Sequence, residues 1–321
     1  MAQSDMVVFN QYFMPAIYET LAQDIEKFNA ASGGAIRLTA AGNVGDYLQE
    51  SFYDALHGAQ RRVDRYAANG AASSTALSQT QKTMVKVAGG FGPILFEPGQ
   101  MTWLQKPTAE AIDVISRQFS EAMMQDMLNT TIAAGVAAIE NNANTTNDVS
   151  GGASVDYRAI NDAHALFGDR SGNIVCDVMR GSMFHKLIDL NLTNTERLFE
   201  SDGVTVVGIL NKLIVVTDAP ALLDTTPTPD QDKVLSLVQG GLEVRDPGNP
   251  IVNIETTNGK ERIETTMQAD YDFTIGVKGY TWDETNGGKS PTDAEIATGT
   301  NWDKVVSSDK MTAGVITIGD I

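Results

Sequence analysis

The chain has 321 residues, 42% hydrophobic and 20% charged, the balance of a folded protein long enough for roughly two or three compact units and a large core. Acids outnumber bases by 41 to 23, giving a formal charge of −18 and a pI near 4.4, which argues against a protein built to grip nucleic acid phosphates or an anionic membrane. One cysteine excludes an internal disulfide framework, and no window approaches the roughly 20 apolar residues of a membrane helix.

Residues 1–45 read as an apolar arm, with Val7, Val8 and Phe9 followed by a short amphipathic piece carrying Ile17, Leu21, Ile25 and Phe28. Ser32-Gly33-Gly34 ends it. So few core partners of its own suggest that the arm docks on the body or on a neighbouring subunit. The start lacks the basic-then-apolar layout of a secretory signal, so a cytoplasmic chain is expected.

The charge reverses over residues 46–100. Arg61, Arg62, Arg65, Lys82 and Lys86 fall between His57 and Gly90, where Asp64 is the single acid. The small, polar stretch 67–74 fits the tip of a long hairpin, and Thr83-Met84-Val85-Lys86-Val87 fits its return arm, with both lysines on one face. Such an arm is either a solvated hairpin or a limb reaching for an acidic partner. Gly89-Gly90-Phe91-Gly92-Pro93 closes on proline, so it cannot open a helix over a phosphate; it reads as the link back, with Trp103 and Leu104 anchoring the entry to the next element.

From Thr108 to about Glu140 the spacing predicts one unusually long helix. Ile112, Ile115, Phe119, Met123, Met127, Thr130, Ala134 and Ala137 recur at steps of three and four, while Ser116, Arg117, Ser120, Glu121, Gln125 and Asp126 fall largely off that stripe. At 1.5 Å per residue the rod would reach roughly 50 Å. Residues 141–152, rich in Asn, Thr, Ser and Gly, read as a surface loop and an internal boundary.

Residues 157–223 alternate helix and strand signals: a helix through Ile160, Ala163, Leu166 and Phe167, a strand at 174–179, a helix from Ser182, a β-rich run at 204–207, and a strand at 213–216 stopped by Thr217-Asp218-Ala219-Pro220. Cys176 sits in the first of these strands, where a small buried residue is wanted. Residues 225–230 read as an extended linker or an exposed loop. Then Ile263, Thr265, Met267, Ala269, Tyr271, Phe273, Ile275 and Val277 occupy every second position, with polar residues between them. That is a half-buried strand of roughly 50 Å, as long as the helix. The remaining tail is turn-rich, with Trp282 and Trp302 as anchors and a final strand at 315–318.

Chemistry-bearing patterns are missing. His57, His164 and His185 show no metal-ligand spacing, and neither a nucleophile elbow nor a phosphate loop occurs, so no catalytic, cofactor-binding or metal residue is assigned.

The order of elements, however, resembles the HK97-fold major capsid proteins of tailed bacteriophages. The local sequence agrees over about residues 40–285: Ser74-Thr75-Ala76-Leu77-Ser78-Gln79 before Val85-Lys86-Val87, Pro107-Thr108-Ala109-Glu110-Ala111, Leu166-Phe167-Gly168-Asp169, Val178-Met179-Arg180-Gly181-Ser182, and Ile214 through Pro220. Gly181 stands where a histidine is common. The resemblance implies an α+β fold with an N-terminal arm (1–45), an extended loop (46–100), a spine helix with the first part of a peripheral domain (101–150), an axial domain (151–239), and return strands with a tail (240–321). It implies a non-enzymatic shell subunit that assembles with itself into hexamers and pentamers, in the host cytoplasm and then in the virion. Such a shell encloses DNA without reading its sequence, uses no cofactor, and has scaffolding, portal and decoration proteins as further partners. Arg61, Arg62, Arg65, Lys82 and Lys86 are then the contacts between copies, and fourteen acids against seven bases from Leu242 onward supply a surface for them. An encapsulin-type compartment, or outside this class an α/β enzyme, are the alternatives.

Overall fold

The computed structural model describes residues 29, 32–39, 45–53, 60–71, 74, 76, 77, 79–96, 108–193, 212–245, 251–259, 261 and 264–321. The expectations for Val7 through Phe28, for Trp103 and Leu104, and for the run at 204–207 lie outside the described residues.

The long helix, α1, spans Thr108–Glu140, 33 residues. Phe119, Met123, Met127, Thr130, Ala134 and Ala137 are buried along its stripe, as their three-four spacing requires. Ile112 and Ile115 lie on its first turns, and their side chains fall outside the described residues. Ser120, set off the stripe by spacing, is only 1% exposed. From Thr130 to Ile139 every residue except Ala133 is buried. A helix resting on a single sheet keeps a polar face; one buried all round is covered from two sides.

Two sheets provide that cover. The first runs β1 (Ile36–Thr39), β9 (Leu242–Arg245), β11 (Glu264–Val277), β3 (Gln79–Phe96), β2 (Tyr47–Tyr53), with β10 (Ile251–Thr257) also on β11. The expected alternation holds over most of β11: Met267, Ala269, Phe273, Ile275 and Val277 are buried and Gln268 and Asp270 are exposed, but Thr274, expected on the polar side, is buried as well. The apolar side faces α1, since the Tyr271 hydroxyl donates to Asp126 Oδ2 at 2.7 Å and Phe91 meets Phe119 edge to face, 5.4 Å between ring centroids. Gly89-Gly90-Phe91-Gly92-Pro93, read from sequence as a link, instead lies inside the 18-residue β3. The reason is local: a Cβ on Gly89 would stand 2.6 Å from the Tyr271 ring, so a bare backbone lets that ring lie across the strand.

The second sheet runs β4 (Thr146–Asp148), β14 (Gly314–Asp320), β8 (Gln231–Val238), β5 (Ile174–Met179), β6 (Leu213–Val216), with β7 (Leu223–Asp224) on β8. Two expectations change here. Residues 141–152 are not a plain surface loop, because they contain β4, and the Thr145 and Thr146 hydroxyls donate to the Ile139 carbonyl at 3.1 and 3.3 Å, covering a helix end that would otherwise lack partners. The final strand, grouped from sequence with the return strands of 240–321, sits inside the second sheet between β4 and β8.

The helices α2 (Tyr157–Ala165) and α3 (Gly181–Thr193) form where expected. Asp156 caps α2, its carboxylate accepting from the Ala159 N–H at 2.7 Å. Trp282 and Trp302, in the paired strands β12 (Tyr280–Trp282) and β13 (Trp302–Lys304), are buried against each other, ring centroids 4.9 Å apart.

Strand β8 leaves no clean signature in the sequence, because Asp232, Lys233 and Ser236 look like surface residues. All three are buried, and each has a partner: Asp232 pairs with Arg180 at 2.8 Å, Lys233 with Glu140 at 2.8 Å, and Ser236 meets His164 at 3.1 Å. The Lys233 pair also places a cation at the C-terminal end of α1, whose last turn carries no basic residue of its own.

At Gly135 helix and sheet pack closely. A Cβ there would come within 2.8 Å of Leu242 Cδ2, which accounts for a glycine inside a helix where alanine would otherwise be better by about 1 kcal/mol. Gly135→Val is therefore expected to destabilise the fold by about 1–3 kcal/mol, read as a lower denaturant midpoint at unchanged slope. A variant as stable as the parent would show that this approach has slack.

Candidate assembly surfaces

Strands β2 and β3 are the arms of a hairpin, in register from Tyr47 opposite Val85 to Tyr53 opposite Gln79. The stretch 54–78 joins them, and its residues 60–71 form no ladder. The open part is therefore wider than the tip expected at 67–74. Arg61, Arg62 and Arg65 lie together here, all exposed. Val63 is 67% exposed, Tyr66 93% and Leu77 56%. The Tyr66 N–H donates to Asp64 Oδ1 at 2.9 Å, a local turn. Cations interleaved with large apolar side chains in water are the composition of a contact surface. Residue charge revealed the arginines; Val63, lying between them, and Tyr66, directly after Arg65, were the signal that charge counting passed over.

Lys82 and Lys86 are elsewhere, on the face of the first sheet turned away from α1. Lys86 pairs with Asp272 of the adjacent strand at 2.8 Å. Lys82 stands opposite Glu50 in the ladder, and Glu50 in turn accepts from Arg245 at 2.6 Å, while Arg245 Nε reaches Glu243 at 2.9 Å. Partial burial lowers the Lys82 pKa, and Glu243 and Glu50 offset only part of that cost. Charge thus alternates across β2, β3, β11 and β9, binding the base of the hairpin to its own sheet. Lys86, expected to reach a neighbouring copy, is matched within its own chain.

The interior carries little reactive chemistry. Burial, followed by the charge of Asp177, pushes the Cys176 thiol up to about 12, far from a thiolate nucleophile. His164 is buried, with Nε2 at 3.1 Å from both Asp177 Oδ1 and Ser236 Oγ. A serine–histidine–aspartate relay needs its partners on opposite ring nitrogens; here both share one. The Gly181 N–H donates to Asp218 Oδ1 at 3.1 Å, fixing the start of α3. Among the described residues no cluster of three or more His, Cys, Asp or Glu could hold a metal ion, and no helix is long and apolar enough to cross a membrane.

A family model described as major capsid protein 13-like matches residues 5–316. The chain belongs to the major capsid protein 13-like family. Solved structures agree on the fold: a chain of the Cyanophage Pam1 capsid asymmetric unit is similar at 12% identity and a TM-score of 0.51, over 89% of this chain and 88% of that one. A chain from Mycobacterium phage Adephagia is similar at 11% identity and a TM-score of 0.51, over 89% of each. No curated protein sequence matches closely enough to add to these. The α+β, HK97-type fold and the shell-forming role implied by the sequence resemblance are those of this capsid protein.

The two lysines of the capsid protein should separate in a stability test. Lys86→Met should lower stability by up to about 1 kcal/mol, the range of a partly exposed pair. Lys82→Met should leave stability at neutral pH equal or higher, because the folded chain holds that ammonium below its ordinary 10.5. Between the lowered value and 10.5 the unfolded chain keeps a proton that the folded one has released, so the Lys82 contribution to parent stability rises with pH there. The rise should vanish in Lys82→Met. Chemical denaturation at neutral and alkaline pH reads both effects, and a clear loss of stability in Lys82→Met at neutral pH would contradict them.

Proposed function

We propose that copies of this capsid protein are joined by the stretch 54–78, whose Arg61, Arg62 and Arg65 lie on an acidic surface of the neighbouring copy. The assembled hexamers and pentamers form an icosahedral head that holds double-stranded DNA without reading it. The observation that carries this is the exposed arginine group, set among exposed apolar side chains at the open end of a hairpin anchored at its base, in a chain of charge −18. Residues 240–321 offer the acids that such a group needs. An acidic wall also suits containment of DNA better than adhesion to it. In this reading residues 46–100 serve as the extended loop, the first sheet with α1 as the peripheral region, and the second sheet as the axial region. Lys86 then ties the base of the loop to its own sheet rather than touching the neighbour, and Lys82 lies on the same face of that base. The subunit is non-enzymatic, assembles in the host cytoplasm, and works beside scaffolding, portal and decoration proteins.

Replacing Arg61, Arg62 and Arg65 together with glutamate should abolish particles while leaving the subunit folded. A single exposed pair is worth at most about 1 kcal/mol, so one reversal should hardly register. Three reversals turn attraction into repulsion at every repeat of the contact around a shell, and repetition multiplies a small penalty. Particle yield by electron microscopy and thermal unfolding are compared with the parent at low and high salt, where screening should restore some assembly. Normal particles at low salt would remove the arginines from the contact, and loss of the folded subunit would place them in the core.

A further inference from the structure

Cations also gather at a hollow of about 470 Å³ where the ends of the two sheets adjoin. Its wall combines the turn before β5, the end of β8, the residue after β11 and the segment ahead of β14. Arg170, Lys278 and Lys310 line it, and no lining residue is acidic. Lys212 reaches the same turn, donating to the backbone carbonyls of Ser171 and Ile174. One carboxylate answers this group: Asp169 accepts from Lys310 at 2.5 Å, and that bond, with Arg170 contributing less, holds its pKa below the ordinary range. Lys278 donates to the Gln239 carbonyl at 3.2 Å, and among the described residues neither it nor Arg170 has an ion pair.

The hollow is formed before any ligand arrives. β5, β8 and β14 are neighbours in one sheet, and the Lys310–Asp169 pair straps the turn before β5 to the segment ahead of β14. Donors fixed in advance lose little freedom on binding. Two copies of charge −18 repel, so each contact between them gains from a place where a carboxylate meets uncompensated cations. Nucleic acid is the poorer occupant, because a phosphate backbone is gripped by a row of cations along its track, whereas this is one closed group.

We propose that this hollow is a second contact between copies, receiving a carboxylate side chain from a neighbouring subunit. It rests on the proposed self-assembly but uses none of the loop residues. Particles grown from equal amounts of unlabelled and nitrogen-15-labelled subunits are treated with a carbodiimide, which joins an amine to a carboxylate it already touches, and are digested for mass spectrometry. Lys278 or Lys310 should appear joined to an Asp or Glu peptide with mixed isotope labels; the Lys310–Asp169 link within one chain is the control. Particles in which both lysines give only unmixed links would overturn the hollow and leave the loop reading standing. Failure of the parent to assemble at all would sink both. As a second measurement, Arg170→Gln combined with Lys278→Gln should cut particle yield several-fold with no shift in the unfolding midpoint. Full yield of the double variant would overturn the proposal, and full yield with loss of retained DNA would assign the hollow to nucleic acid instead.

Discussion

Burial of the second half of α1 between two sheets is the constraint on which the rest depends. One apolar cluster joins Val85, Val87, Phe273 and Ile275 of the first sheet to Met127, Ile132 and Ile139 of the helix and on to Cys176, Leu235 and Ile316 of the second. Each large side chain fully withdrawn from water contributes about 1.5–3 kcal/mol, so the helix cannot leave either sheet without losing several such contributions at once. The close approach at Gly135 and the Lys233–Glu140 pair tie the helix to one sheet each. The hairpin of β2 and β3 therefore stands on a base that includes this apolar cluster.

What was legible in the sequence was whatever kept a clean period. The stripe from Phe119 to Ala137 and the alternation through β11 survive because each element must show one face to the interior, and a repeat of three to four or of two is the trace of that demand. β8 was not legible, since its interior positions include charges whose partners, Arg180 and Glu140, lie far away in sequence. β4 was hidden for a related reason: Thr145 just before it and Thr146 at its start resemble a loop until the end of a helix is set beside them. Among the candidate contacts, Arg61, Arg62 and Arg65, clustered within five residues, could be read from composition, whereas the standing of Lys86 depended on which strand lay next to it. Arg170, Lys278 and Lys310 come from three separate segments and meet only in the folded chain.

Electrostatics divides the basic residues into kinds of work. Some, such as Arg180, Lys233 and Arg245, are matched to carboxylates of the same chain and hold elements together. The loop arginines are held in water. A strongly acidic subunit needs this division: net charge keeps free copies apart and soluble, and a few unmatched cations decide where they meet. The acid excess resists indiscriminate clumping, and the location of the exceptions sets the geometry of association.

The position of β14 has a consequence for how the protein is made. Because Gly314–Asp320 lies between β4 and β8, the second sheet stays split during synthesis until residue 320 has left the ribosome. Until then β4 has no strand to pair with, β8 lacks its neighbour on one side, and the buried side of Val315, Ile316 and Ile318 is missing from the core. A chain interrupted before Gly314 carries open strand edges, which favour irregular aggregation or degradation over ordered packing. Translation products that stop before Gly314 are thereby disqualified by their own fold, because the second sheet closes only when β14 joins β4 to β8.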